Sequence, residues 1–146
     1  MIKLKNLLLE RIDFLDTAEY LVKQYKLKSK VKTTTGKDKA DYDVDRDIIN
    51  IRPSYSSVKD FLISVLHEID HAKDAYNLGK SKYKFDYSIK GEMAQQQGGD
   101  FHDDNPYEEK AENWAKKEYK KWIKKVWFFL KLLDIYNCTI AIILVI

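Results

Sequence analysis

A small α+β domain is what this sequence predicts, with helices over most of its length and a short sheet in between. Three stretches carry that reading. Residues 58–78, VKDFLISVLHEIDHAKDAYNL, repeat apolar residues at steps of four and three, the period of a helix with one buried stripe. Residues 31–35 and 40–52 are instead rich in Val, Ile, Thr and Tyr and are bounded by Gly36 and Pro53, as strands are. Residues 103–125 return to the helical period, with Asn105 placed as N-cap and Pro106 as first helical residue.

At 146 residues the chain fits one domain. Hydrophobic residues make up 45%, with 6 Phe, 10 Tyr and 3 Trp, enough for a real core. The 34% of charged residues provide a solvated surface. Net charge is only +3, and outside residues 116–125 basic side chains are interspersed with acidic ones. A nucleic-acid binder concentrates its basic residues in one footprint, so no nucleic-acid partner is expected. The single cysteine, Cys138, excludes an intrachain disulfide and gives no sign of an oxidising compartment. The opening MIKLKNLLLERIDFLDT breaks its apolar residues with charges and lacks the h-region of a signal peptide. The expected location is therefore cytoplasmic.

In chain order, residues 4–25 read as a first amphipathic helix. Leu7, Leu8, Ile12, Leu15, Leu21 and Val22 form its apolar side, and covering the core is its expected role. Val31 to Thr35 gives a strand ending at Gly36, residues 37–39 a turn, and residues 40–52 one or two strands, in the second case a hairpin. Ile49 and Ile51 alternate with Asn50 and Arg52, as on a half-buried strand. Lying just before the 58–78 helix, this strand is the expected sheet edge for an extended peptide. Residues 80–101 show no clear period: Tyr83, Phe85, Tyr87, Ile89 and Met93 punctuate a polar segment, and Gln95 to Gly99 reads as a helix end and loop. In the 103–125 helix, Ala111, Ala115, Tyr119, Trp122 and Val126 form the apolar line.

Within 58–78 lies His67-Glu68-Ile69-Asp70-His71, an H-E-x-x-H pattern. Helix positions four apart lie one above the other. Two imidazoles so placed can hold one metal ion, while the intervening glutamate reaches a bound water. The predicted buried stripe is Val58, Leu62, Val65, Ile69, Ala72 and Tyr76. His67 and His71 fall nearly opposite, with Asp60, Ser64 and Asp74, toward a cleft. Chance is the plain alternative, since three fixed positions in five carry little information. Against chance, two of only three histidines sit here at ligand spacing. Gly79 is the predicted stop.

A third ligand is needed, and the helix opening at Asn105 offers one. Glu108 lies one turn before Ala111 on the apolar line, so it points inward among small residues. The competing reading is a capping box between Asn105 and Glu108. Glu112 is the second choice as ligand. It also fits as outer partner of a ligand histidine or as a surface pair with Lys116.

These residues resemble a known group. H-E-x-x-H followed by Asn105-Pro106-Tyr107-Glu108-Glu109-Lys110-Ala111 is similar to the gluzincin branch of the zincin metallopeptidases. The E-x-x-A-x-x-aromatic-A form from Glu108 to Ala115 looks like that of small cytoplasmic or bacteriophage-encoded metallopeptidases. The resemblance covers roughly residues 48–115. It implies a minimal zincin-like fold, with an N-terminal helix, a small β-sheet, the HExxH helix and a following ligand-bearing helix. It also implies one Zn2+ per chain held by His67, His71 and Glu108, with Glu68 as general base. Thermolysin-like relatives carry an acidic outer partner four residues after the ligand glutamate, where Glu112 stands. Many relatives have glycine before the second histidine, where Asp70 stands.

Three protein ligands leave a fourth position for water, the catalytic arrangement. The implied function is zinc-dependent hydrolysis of a peptide or protein substrate in the host cytoplasm, or in the virion if the chain is phage-encoded. A transition-state stabiliser is also required. His102, Tyr83 and Tyr87 fit by residue type, though a surface histidine and core tyrosines are their plainer reading. The domain is expected to span 1–125. Residues 126–146, VWFFLKLLDIYNCTIAIILVI, form an apolar tail about as long as a membrane helix, interrupted by Lys131, Asp134 and Asn137. The β-branched residues 140–146 also fit a buried strand, and a helix extension packed on the domain is the preferred reading of the tail, ahead of a membrane-associated tail or a terminus poorly adapted to this fold. Two rivals to the enzyme stand: an inactive zincin-like binding or phage structural module, and a membrane-tethered protein with an incidental HExxH. An intact Glu68 favours the enzyme.

Overall fold

A computed structural model describes the backbone of residues 13–143 and side chains through residue 125. The chain forms an α+β fold: α1 (Phe14–Gln24), β1 (Lys30–Thr33), β2 (Ala40–Asp43), β3 (Ile48–Ile51), α2 (Val58–Leu78), α3 (Lys80–Gln96) and α4 (Pro106–Ile143). The expected first helix is present from Phe14, opened by Asp13, whose carboxylate accepts the Asp16 N–H at 3.0 Å. The part expected over residues 4–12 lies outside the described residues.

The three strands form one sheet in the order β1-β3-β2, with β1 parallel and β2 antiparallel to β3. Residues 40–52 are thus a hairpin. Asp47 closes its turn at φ 57, a left-handed position that Asp tolerates better than most residues. It is held there by the Ser29 hydroxyl at 2.6 Å and the Tyr42 hydroxyl at 2.9 Å. The strand nearest α2 in sequence, β3, is central rather than peripheral, which corrects the expected edge. Its Ile48, Ile49 and Ile51 are buried, too apolar for an outer position. β1 and β2 are the outer strands instead.

α2 is the central post of the fold. Ser57 caps it, accepting the Asp60 N–H at 3.0 Å. Its Phe61, Val65, Leu66, Ile69 and Ala72 pack with Ala18, Leu21 and Val22 of α1, Val31, Ile49 and Ile51 of the sheet, and Ala115 of α4. Each such large side chain withdrawn from water contributes roughly 1.5–3 kcal/mol. The predicted stripe is right at Val65, Ile69 and Ala72 and wrong at Tyr76, which is 68% exposed. Nor is the histidine side of α2 simply open, because α3 and α4 cover it and His71 is buried.

α3 replaces the unread segment 80–101. Gly79 ends α2 at φ 85 and α3 begins at the next residue. Only glycine takes that backbone conformation at little cost, so the stop signal is also the joint between two helices. The end of α3 near Gln95 to Gly99 matches the sequence reading, with Gly98 again at φ 85. α4 begins at Pro106 and runs as one helix to Ile143, which replaces the strand alternative at 140–143. Whether the tail packs on the domain concerns side chains beyond those described. Among the described residues, no helix is long and apolar enough to cross a membrane.

Candidate metal centre

Three elements bring the site together. α2 presents His67, Glu68 and His71, α4 brings Glu108 within its first turn, and α3 stands over both. Asn105 fixes the start of α4. Its side-chain oxygen accepts the Tyr107 N–H at 3.1 Å, and its amide donates to the Tyr87 carbonyl at 3.0 Å. The Asn105 N–H donates to the His102 carbonyl at 3.0 Å, so no capping box forms and Glu108 is free to turn inward. Ala111 and Ala115, both fully buried, let α4 lie close along α2.

The donor atoms converge. His67 Nε2 is 3.0 Å from His71 Nε2 and 2.8 Å from Glu108 Oε2, and His71 Nε2 is 3.2 Å from Glu108 Oε1. Two ligand atoms on one tetrahedral zinc lie roughly 3.3–3.6 Å apart, given bonds of about 2.0–2.2 Å. The group is only slightly tighter than that spacing, so small side-chain rotations open it to an ion. His67, His71 and Glu108 could hold a metal ion.

The two imidazoles differ at their second nitrogen: that of His71 has a hydrogen-bond partner and that of His67 faces a carboxylate at longer range. His71 Nδ1 lies 2.9 Å from the Tyr83 hydroxyl. His67 Nδ1 faces Glu112 Oε2 at 3.7 Å, beyond hydrogen-bonding distance, while the other Glu112 oxygen pairs with Lys116 at 2.9 Å. Glu108 Oε1 accepts the Tyr87 hydroxyl at 2.6 Å. Such outer partners are what orients histidine and carboxylate ligands. Sequence reasoning assigned Tyr83 and Tyr87 only by residue type, as oxyanion donors. Their spacing of four, matching that of His67 and His71 across the Gly79 joint, was the available signal, and it depends on reading 80–96 as a helix.

The electrostatics follow from burial and neighbours. Burial alone would lower the His67 pKa, but Glu108, Glu68 and Glu112 outweigh it and hold it above the ordinary value. Burial would raise Glu108, yet hydrogen bonds from His67, His71 and Tyr87 keep it well below the usual carboxylate range. Glu68 is pushed up, chiefly by burial. Burial also raises Tyr83 and Tyr87, so both hydroxyls stay protonated through neutral pH.

Glu68 makes no side-chain hydrogen bond among the described residues and is 8% exposed. Its carboxyl lines two clefts, of about 690 and 420 Å³, that share Ala40, His67 and Glu68. Together they make a groove past the donor group, with the outer side of β2 as one wall. His102 sits at the rim, 66% exposed, with Nε2 3.5 Å from Glu108 Oε1. Asp70, in the position before His71, turns away from the groove and pairs with Lys73 at 2.9 Å. Comparisons with known protein families, with curated proteins and with solved structures find no match to this chain.

Proposed function

We propose that this chain is a zinc-dependent metallopeptidase of the gluzincin type, with one Zn2+ held by His67, His71 and Glu108. The observation that carries the reading is a single juxtaposition. Three converging ligand atoms stand beside a buried carboxyl that has no hydrogen-bond partner among the described residues, where two clefts meet. Two histidines with one carboxylate are a catalytic zinc donor set, and a dedicated structural site would fill the fourth position with protein. Bound there, zinc would supply Lewis acidity toward a carbonyl and toward water.

The chain's own residues supply the rest. Glu68, with its pKa raised toward the working range, takes a proton from a water in the groove and returns it to the departing amine. Its lack of a competing hydrogen bond leaves the carboxylate available for that transfer. The free edge of β2 suits an extended peptide, whose backbone would add as a further strand and lay its carbonyl beside Glu68. His102 at the rim is the side chain best placed to donate to the developing oxyanion. A mere binding module has no use for an unpaired carboxyl between two ligand histidines.

The test is metal content followed by hydrolysis. Purified protein is expected to carry about one zinc per chain and to cleave a broad mixture of unstructured peptides. His71→Ala should lose both. Wild-type protein that takes up no zinc, or that keeps its zinc after His71→Ala, rejects the ligand set. Zinc-loaded protein that cleaves no peptide rejects the peptidase.

A further inference from the structure

We infer that α3 is a clamp on the metal group, with Tyr83 and Tyr87 as positioning residues that decide which atoms His71 and Glu108 present. The inference rests on the metal-binding part of the reading above and is independent of peptide hydrolysis.

The two tyrosines stand one turn apart on α3 and reach to different helices. Tyr83 meets His71 Nδ1 on α2 at 2.9 Å, and Tyr87 meets Glu108 Oε1 on α4 at 2.6 Å. Among the described residues each hydroxyl makes only that hydrogen bond. Tyr83 is 3% exposed, and a buried hydroxyl needs a partner. An imidazole that gives Nε2 to a metal carries its proton on Nδ1, and the Tyr83 oxygen accepts it there. That contact fixes both the tautomer and the plane of the ring. Tyr87 works on the carboxylate. The terminal torsion of a glutamate is soft, so an unrestrained Glu108 would turn either oxygen, or both, to the ion. The Tyr87 hydroxyl takes one lone pair of Oε1, which also faces His71 Nε2 at 3.2 Å, and so favours Oε2, the oxygen beside His67, as the donor.

α3 itself is fixed closely enough for this role. Asn105 donates to the Tyr87 carbonyl at 3.0 Å, and Lys84 pairs with Asp45 at 2.8 Å. Gly91 lies against Phe101 so closely that a Cβ there would fall 2.6 Å from the ring. Tyr107 packs edge-on against Tyr83 and stacked against Tyr87, with ring centres 5.2 and 5.9 Å away. The two phenols therefore have defined directions before any ion arrives.

The experiment measures zinc affinity by chelator competition, and the visible absorption of the cobalt-substituted protein, in Tyr83→Phe, Tyr87→Phe and Tyr107→Phe. Each change removes one hydroxyl and keeps the ring. Tyr83→Phe and Tyr87→Phe are expected to bind zinc about 10- to 100-fold more weakly. Tyr87→Phe should also weaken and shift the cobalt bands, because Glu108 then offers both oxygens and raises the coordination number. Tyr107→Phe shares the same ring cluster but has no hydroxyl contact to a ligand, so its affinity and spectrum should match wild type. Circular dichroism establishes which variants fold, and either clamp variant alone decides the matter. Wild-type affinity in a folded Tyr83→Phe or Tyr87→Phe, or an equal loss in Tyr107→Phe, overturns the clamp. Tyrosine-dependent zinc binding in a protein that cleaves no peptide leaves the clamp standing and removes only the peptidase.

Discussion

Glu68 and Asp70 stand two residues apart on α2, and both are withdrawn from water, at 8% and 1% exposure. Their surroundings differ completely. Asp70 is neutralised from two helices, by Lys73 at 2.9 Å and Lys110 at 3.1 Å, and Lys110 also holds Asp74 at 2.5 Å. The Lys110 contact to Asp70 Oδ2 is a charge contact without hydrogen-bond geometry. Glu68 has two imidazoles as near neighbours and, among the described residues, no hydrogen-bond partner. Burying an unpaired carboxylate is costly, and the two carboxylates meet that cost differently, Asp70 beside two lysines and Glu68 at the wall of the groove. The paired carboxylate joins α2 to α4 and so holds Glu108 in register with the histidines. The bare one faces the groove.

The sharpest way to break this comparison is to neutralise each carboxylate in turn. Glu68→Gln keeps size and shape and removes the proton acceptor. Peptide hydrolysis should fall about 100-fold or more, the scale of a lost general base, while zinc content stays at wild type. Thermal stability should not drop, since an uncompensated buried charge disappears. Glu108→Gln should lose zinc and activity together. Loss of zinc in Glu68→Gln would make Glu68 a ligand and end the distinction.

A second, smaller effect belongs to the paired side. Lys110→Ala leaves Asp70 buried with Lys73 alone. Breaking a fully buried pair costs roughly 3–5 kcal/mol, but the Lys110 side chain is 50% exposed and Lys73 remains. A loss of about 1–2 kcal/mol is expected in urea unfolding, with zinc affinity per folded molecule unchanged. Unaltered stability would show that the cluster does not hold α4 to α2.

The same contrast explains what the sequence made legible. The H-E-x-x-H helix, the hairpin at 40–52 and the capped helix from Asn105 announce themselves by local signals: period, β-branched residues, and an Asn-Pro start. The donor group was legible because two of its members share one helix and the third begins another. α3 was not, because its apolar residues Phe85, Ile89 and Met93 point to solvent, at 65%, 40% and 52% exposure, while it buries Tyr83 and Gly91. A pattern search looks for a buried apolar stripe, and α3 has none. The tyrosine contacts and the Asp70 cluster were hidden for the same reason, since each joins residues whose proximity depends on where α3 and α4 lie. β3 was misjudged as an edge because adjacency in sequence says nothing of order within a sheet.

Another buried carboxylate sharpens the comparison through pH. Glu118 on α4 accepts the Tyr25 hydroxyl of the loop after α1 at 3.0 Å and pairs closely with Lys121. The Trp122 indole N–H donates to the same Tyr25 oxygen at 2.9 Å. Burial raises the Glu118 pKa, but Lys121 and Tyr25 outweigh it and hold it below the usual value. A folded pKa below the unfolded one, near 4.3, gives stabilisation that is fully present above about pH 4.3. That stabilisation is lost as pH falls through the folded value. Tyr25→Phe removes one donor to the carboxylate and should cost about 1 kcal/mol near neutral pH. As pH falls through that lowered value the carboxyl takes up its proton in both proteins, so the gap between variant and wild type should narrow. Urea midpoints of metal-free protein near pH 7 and pH 3 read this directly. A gap of equal size at both pH values would mean that the Tyr25 hydroxyl serves Trp122 alone, and that Glu118 is held by Lys121.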